Sequence, residues 1–472
     1  MPHDLVFKNA TVIDGSGGTP SIADVAVEGD RIVVVGDCAH HSRAEIDATG
    51  LVLAPGFIDV HTHDDFALVS NPDMGFKTLQ GVTTVITGNC GTSAVPLADW
   101  TTKVMTASPA VNVVPLVGHG SVREAVMGRN NTAAPDAAQL ARMVDLVERA
   151  LDSGAAGIST GLVYVPGAFS TTDEVLALTQ PVADRGGIYA SHIRNEGGDL
   201  LESIDEAIEI GRRTGIRVQI SHLKAIGEEN FGKIPDAIAM IRNAQRDGFS
   251  VMADQYPYTR GSTLLDQLVA RGALDGPSPF GFVQGADVLI AAVPHTPEWE
   301  GRTLDGVAES LGMSVPDAAR HIVGIRPESC FIVYRNQSEE NVERILGEDF
   351  VMIGSDGVPF GSRPHPRLHH TYPRVIGEYS RDRAIIPLQV AVHKMTAMCA
   401  DRFGIVDRGR IEVGAFADLV LFDPSTIRDT GDYENPTAVP DGFVGTWVNG
   451  TCVARNGSVS GARGGRFVGA LG

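Results

Sequence analysis

The sequence predicts an α/β protein: a distorted (β/α)8 TIM-like barrel with a small β-sandwich domain built from both chain termini. Three observations predict it. Eight apolar segments end in polar residues, the stretches between them show helical periodicity, and strand-like alternation occupies both ends of the chain. Apolar segments alternating with helices read as a parallel sheet buried on both faces. Eight such units in 472 residues read as a closed barrel, with length left over for an accessory domain.

The chain opens with alternating segments at 4–9, 23–28 and 31–36, separated by the turn signals Gly15-Ser-Gly-Gly and Glu28-Gly-Asp. Residues 1–54 are therefore assigned to the β domain. The alternation resumes at 417–423, 445–450 and 451–455, so that 405–472 complete it. The barrel is assigned to 55–404, its eight segments beginning at Gly56, Thr83, Val113, Ala156, Gly187, Arg217, Ser250 and Phe350. Helical periodicity is clearest over 138–151, 200–213 and 234–246. The stretch between the seventh and eighth segments is too long for one helix. An insertion is expected at about 263–349, with short helices over 303–310 and 315–321 and the last barrel helix over 338–346. It reads equally as a substrate lid over the barrel mouth or as a packing decoration.

Lys and Arg number 38 against 58 Asp and Glu, a formal charge of −20. That balance argues against nucleic acid and against anionic membrane surfaces, because phosphate binding needs clustered cations. No apolar run approaches the roughly 20 residues of a membrane span, and the first residues show no signal-peptide pattern. The five cysteines, Cys38, Cys90, Cys330, Cys399 and Cys452, are scattered and form no disulfide framework. These features point to a cytoplasmic protein whose partner is a small molecule. Oligomeric state is left open.

Polar residues collect at the C-terminal ends of the barrel segments, where such barrels carry active sites. His61 and His63 end the first, Cys90 the second, His192 the fifth, His222 the sixth and Asp356 the eighth. Singly, each reads as a hydrogen-bonded rim residue or inert packing. Together they supply the imidazole, thiolate and carboxylate donors that zinc takes, and barrel closure brings them to one face. Charge stands nearby in Arg194, Glu196, Lys224 and the Pro-rich loop leading to Arg367, with Tyr256 and Tyr258 ending the seventh segment. Cations placed around a metal site in an acidic protein point to an anionic substrate. The competing reading pairs them with local carboxylates such as Asp254.

Several of these segments carry a resemblance. Pro55-Gly-Phe-Ile-Asp-Val-His-Thr-His-Asp-Asp, Gly88-Asn-Cys-Gly, Ser159-Thr-Gly-Leu-Val-Tyr, Ser191-His-Ile-Arg-Asn-Glu, Ile220-Ser-His-Leu-Lys, Asp254-Gln-Tyr-Pro-Tyr and Gly354-Ser-Asp-Gly occur in this order. The sequence resembles the amidohydrolase superfamily and, within it, the D-aminoacylase (N-acyl-D-amino-acid deacylase) group. The resemblance implies zinc-dependent hydrolysis of N-acyl-D-amino acids. It implies one tightly held zinc on Cys90, His192 and His222, and a second, weaker position on His61, His63 and Asp356. Asp356 is then also the proton-shuttling base, and Lys224, Arg367 and one of Tyr256 or Tyr258 hold the substrate α-carboxylate, Tyr256 being favoured. Two departures stand out: the insertion is shorter than the family pattern, and Arg260 stands where a small residue is usual. Arg260 is a candidate either for selecting an acidic side chain or for a plain surface residue. The alternative is a cyclic amidase of the dihydropyrimidinase or dihydroorotase kind, for which the end of the fourth segment offers no bridging lysine. A non-catalytic barrel scaffold is less compatible with six filled positions.

Overall fold

In the computed structural model, which describes residues 2–38, 42–325 and 330–469, the eight apolar segments form parallel strands. They are β1 (Phe57–Asp59), β2 (Val82–Thr87), β3 (Asn112–Pro115, continued by Val117–Gly118), β4 (Gly157–Gly161), β5 (Ile188–His192), β6 (Arg217–Ile220), β7 (Val251–Gln255) and β8 (Val351–Ile353). Each pairs with the next in parallel register, and β7 pairs with β8. The last seam closes just beyond the strand ends. Asp356 N donates to His61 O at 2.8 Å and His63 N to Gly357 O at 3.2 Å, around a parallel bridge between Thr62 and Gly357.

The helices form where the periodicity predicts them: Ala137–Asp152, Leu200–Thr214 and Ile234–Arg246 pack on the outside of the barrel. Local chemistry fixes their ends. Asp136 and Gln139 form a reciprocal capping box, with side-chain to backbone bonds of 2.8 and 2.9 Å. Gly215 ends the second helix in the left-handed conformation, φ 73°. Inside the barrel, Ile58, Ile86, Val114, Ile188 and Met352 pack against Met398 and Phe403. These last two lie on the helix Ala397–Phe403, whose Arg402 reaches Ser250 and Val218 O near the N-terminal ends of β6 and β7. That helix stops the foot of the barrel.

Both termini contribute to one nine-stranded sheet, in which Val52–Pro55 lies between Leu419–Phe422 and His3–Val12. Phe7 and Trp447 sit three strands apart, about 14 Å in a flat sheet, yet their rings meet edge to face at 4.8 Å. The sheet is therefore curled back on itself around a core of Phe7, Val25, Leu53, Leu419 and Trp447. Val52–Pro55 runs directly into β1, which couples this sheet to the first metal-type histidines.

The insertion holds more than helices. Arg260–Leu264, Val288–Ala292 and Phe331–Arg335 form a three-stranded antiparallel sheet, joined by Leu304–Leu311 and Val315–Ile325 around its own apolar cluster. No helix among the described residues is long and apolar enough to cross a membrane.

Candidate metal centre and substrate cleft

Three of the strand-end residues adopt a backbone conformation that side-chain-bearing residues avoid. Cys90, His222 and Asp356 have φ of 52°, 35° and 49°, a strain of about 1 kcal/mol or more each. The surroundings impose it. A Cβ on Gly91 would lie 2.7 Å from Gly161 N, and one on Gly161 2.2 Å from Cys90 O. The turn carrying Cys90 is thus clamped against β4 at positions only glycine can fill. His222 N donates to Asp254 Oδ1 at 2.8 Å, while Asp356 N is held by the β1 bond described above.

These turns converge the donors. Cys90 Sγ lies 3.3 Å from His61 Nε2, 3.6 Å from His192 Nδ1 and 3.8 Å from His222 Nε2. Asp356 Oδ1 lies 3.1 Å from His63 Nε2 and 3.5 Å from His61 Nε2. Donor atoms of His61, Cys90 and His222 fall within 4.8 Å of one another, as do those of His61, His63 and Asp356 and those of His192, Glu196 and His222. A buried thiolate among imidazoles, with a carboxylate to one side, is the donor chemistry zinc takes, and the residues present fit that ion.

The electrostatics agree. Burial opposes ionisation of the Cys90 thiol, but His61, His192 and His222 outweigh it and hold the group well below its ordinary value. Burial likewise opposes ionisation of Asp356, and Arg367, His61 and His63 keep its carboxyl well below the usual range. His192, against burial, is drawn up to about 8 by Glu196 and Cys90.

Behind the donors lie two buried cations. Lys224 Nζ donates to Glu196 Oε1 at 2.6 Å and lies 2.8 Å from His222 Nδ1. Arg367 is fully buried, its Nη1 2.8 Å from Asp356 Oδ2, its guanidinium over the Tyr256 ring at 4.4 Å. Among the described residues its Nε and Nη2 find no acceptor. A buried cation with idle donors is costly unless something anionic uses them. Lys224, Tyr256, Asn336 and Arg367 line one narrow cleft together with His192, His222 and Asp356.

The family profile described as the amidohydrolase family matches residues 44–231 and 340–454. The chain belongs to the amidohydrolase family. The part between the two matched stretches contains most of the insertion. This amidohydrolase is 41% identical to a D-aminoacylase of Alcaligenes xylosoxydans xylosoxydans, over 99% of this chain and 98% of that one. It superposes with a TM-score of 0.93 on a crystal structure of N-acyl-D-glutamate deacylase from Bordetella bronchiseptica, complexed with zinc and a phosphonate mimic of the tetrahedral intermediate. Identity there is 36%, with both chains fully covered. A D-aminoacylase structure described for the functional role of its binuclear metal centre, with one-metal activation and second-metal attenuation, gives a TM-score of 0.91. It is 39% identical over 99% of this chain and 100% of that one.

Not every candidate of this amidohydrolase joins the cleft. The chain makes a tight turn at Pro257, with Tyr258 N bonded to Tyr256 O at 3.0 Å, and the second tyrosine leaves in another direction. Tyr258 packs under Arg374 at 4.8 Å and edge-on to His365 at 5.1 Å. Arg260 lies over the Tyr433 ring at 5.1 Å, outside the cleft. Arg194 is committed to Glu206, at 2.8 and 2.9 Å. Conversely, two carboxylates matter more than their spacing announced. Glu196 touches His192, His222 and Lys224 at 3.3, 3.1 and 2.6 Å. Asp254 takes His61 Nδ1 at 3.0 Å, Gln219 at 2.9 Å and His222 N. The signals are present, since Glu196 follows His192 by four residues and Asp254 lies next to the end of a barrel strand.

Proposed function

We propose that this chain is a zinc-dependent deacylase that hydrolyses the amide bond of N-acyl-D-amino acids to a D-amino acid and a carboxylate. The observation that carries the reading is the buried Lys224–Tyr256–Arg367 cleft opening onto the thiolate–imidazole cluster and Asp356. One side suits the substrate carboxylate and the other suits amide hydrolysis. The D hand follows the likeness to enzymes named for D-substrates.

We assign Cys90, His192 and His222 to the tight zinc position, and His61, His63 and Asp356 to a weaker second one. Zinc, when bound, supplies Lewis acidity toward the amide carbonyl and acidifies water. Asp356, kept ionised at rest by Arg367 and the histidines, accepts the proton of the attacking water on Oδ1 and returns it to the departing amine nitrogen. One carboxylate serves as base and then acid because the proton it gains is the one it gives. Lys224 and Arg367 grip the α-carboxylate and the Tyr256 hydroxyl, which accepts from Asn336 at 3.1 Å, closes the cleft beside them. Fixing that carboxylate fixes the chiral carbon, so one enantiomer presents its amide to the donor cluster. Arg260 and Tyr258 have no role in this account. The anionic small-molecule partner rests on Lys224, Tyr256 and Arg367 beside the donor cluster, and the exclusion of nucleic acid on the −20 charge. Assignment to the cytoplasm rests on the five free cysteines.

The test is amine release from paired N-acetyl-D- and N-acetyl-L-amino acid panels by zinc-loaded protein. Turnover confined to the D panel supports the assignment. Turnover of the L panel, or silence on both with zinc bound, overturns it.

A further inference from the structure

Next to the carboxylate cleft lies a second, larger cavity of 390 Å³. His63 and Cys90 line it, and Phe66, Val165, Leu264, Phe331, Val358 and Phe360 give it an apolar side that it shares with polar groups including Asp65, Arg129 and Gln267. The three phenylalanines come from the loop after β1, the insertion and the loop after β8, and they stack. Phe360 lies on Phe331 at 5.2 Å with rings 8° apart, and on Phe66 at 6.1 Å and 21°. Phe66 is 64% exposed and Phe360 38% exposed. Rings gathered side by side in water at the rim of a cavity mark a ligand surface rather than a core.

The two spaces divide five of the six donors between them. His192, His222 and Asp356 face the cleft, His63 and Cys90 face the cavity, and Tyr164, Ser262 and Thr263 border both. In an N-acyl-amino acid the atoms run carboxylate, α-carbon, nitrogen, carbonyl carbon, acyl chain. With the carboxylate at Lys224 and Arg367 and the carbonyl at the donors, the acyl chain is what continues past the cluster. The amino-acid side chain branches earlier, on the carboxylate side.

Resting on the deacylase reading above, we propose that the phenylalanine-walled cavity is an acyl subsite that takes apolar acyl groups much larger than acetyl. Its volume falls in the range of roughly 300–1,000 Å³ that holds whole drug-sized ligands, far more than one methyl group requires. Phe66 and Phe360 are the specificity-determining residues, since they form the outer wall against which a lengthening chain leaves water.

The experiment measures kcat/KM for N-acetyl, N-butanoyl, N-hexanoyl and N-phenylacetyl derivatives of one D-amino acid, beside an N-acetyl panel of different D side chains. Wild type, Phe360→Ala and Phe66→Ala are compared, the last at a position too exposed to threaten folding. The expected result is a rise of up to about fourfold per added methylene in wild type, the equivalent of ~0.8 kcal/mol for a buried CH2. Both variants flatten that rise while leaving the ranking of D side chains as it was. A flat acyl series in wild type overturns the proposal, as does a variant that reorders the side-chain panel and spares the acyl series. Silence on every N-acetyl-D substrate and every longer acyl derivative fails the deacylase reading itself, and the subsite falls with it.

Discussion

Lys77 and Asp59 form an ion pair 2.7 Å long from which water is wholly excluded. Lys77 also donates to Ser355 Oγ at 2.9 Å and lies 3.3 Å from Asp64, while Asp59 Oδ1 accepts from Ser355 N at 2.8 Å. Asp59 ends β1 and Ser355 precedes Asp356, so the pair rivets the barrel seam just below the proposed second metal position. Burial works against the Lys77 charge, and Asp59 and Asp64 more than restore it, raising its proton affinity. Lys77→Met strands two buried carboxylates and should cost about 3–5 kcal/mol. Urea unfolding reads this as a lowered midpoint at unchanged slope, and an unchanged midpoint would show that the pair carries no weight.

Asp356→Asn keeps the shape of the side chain and removes its basicity. Turnover should fall by about 10²–10⁴-fold, the range of a lost general acid–base group, while zinc content measured by elemental analysis stays near that of wild type. Full activity in the variant sinks the proton-transfer role.

Arg367→Met removes the idle guanidinium donors from the cleft. Charged hydrogen bonds contribute about 1.5–3 kcal/mol, so KM for an N-acetyl-D-amino acid should climb roughly 10- to 100-fold. Steady-state kinetics across substrate concentration separates this from a loss in kcat. An unchanged KM takes Arg367 out of the carboxylate site.

Lys394 is buried far from the cleft, with its Nζ 3.1 Å from Val351 O and bonded to Glu348 O. Burial pulls its pKa down to about 8, against 10.5 in the unfolded chain. Between these values the unfolded state binds more protons, so stability rises with pH from about 8 to 10.5; the penalty is fully present below 8. The total is roughly 3 kcal/mol. Unfolding curves of wild type and Lys394→Met, taken at several pH values, should converge as pH rises across this window. Parallel curves across it contradict the assignment.

The barrel is legible because apolar segments with polar ends recur eight times with helical periodicity between them, and some helices carry end signals, as at Asp136 and Gly215. The donors were legible because they end strands, and closure turns a linear pattern into a ring. The insertion sheet was not. Arg260–Leu264 alternates without strong apolar character, and its partner strand, Phe331–Arg335, lies about 70 residues on, so no local turn announces the pairing. Tyr258 is a candidate by its place beside Tyr256, and the turn at Pro257 cancels that proximity; Arg260 is one because it stands where a small residue is usual, and it lies over Tyr433 outside the cleft. Glu196 and Asp254 were underrated because spacing shows that a carboxylate is near a histidine and not that it touches three groups at once.

With the helix Ala397–Phe403 packed under the barrel, the donor cluster opens, among the described residues, through the cleft and the cavity that share Tyr164, Ser262 and Thr263. On the deacylase reading, substrate and both products pass through these two linked spaces. The leaving carboxylate and the D-amino acid therefore occupy the route the next substrate needs, and each can obstruct the other's departure. Which fragment clears first, rather than how fast the bond breaks, then governs throughput once product accumulates.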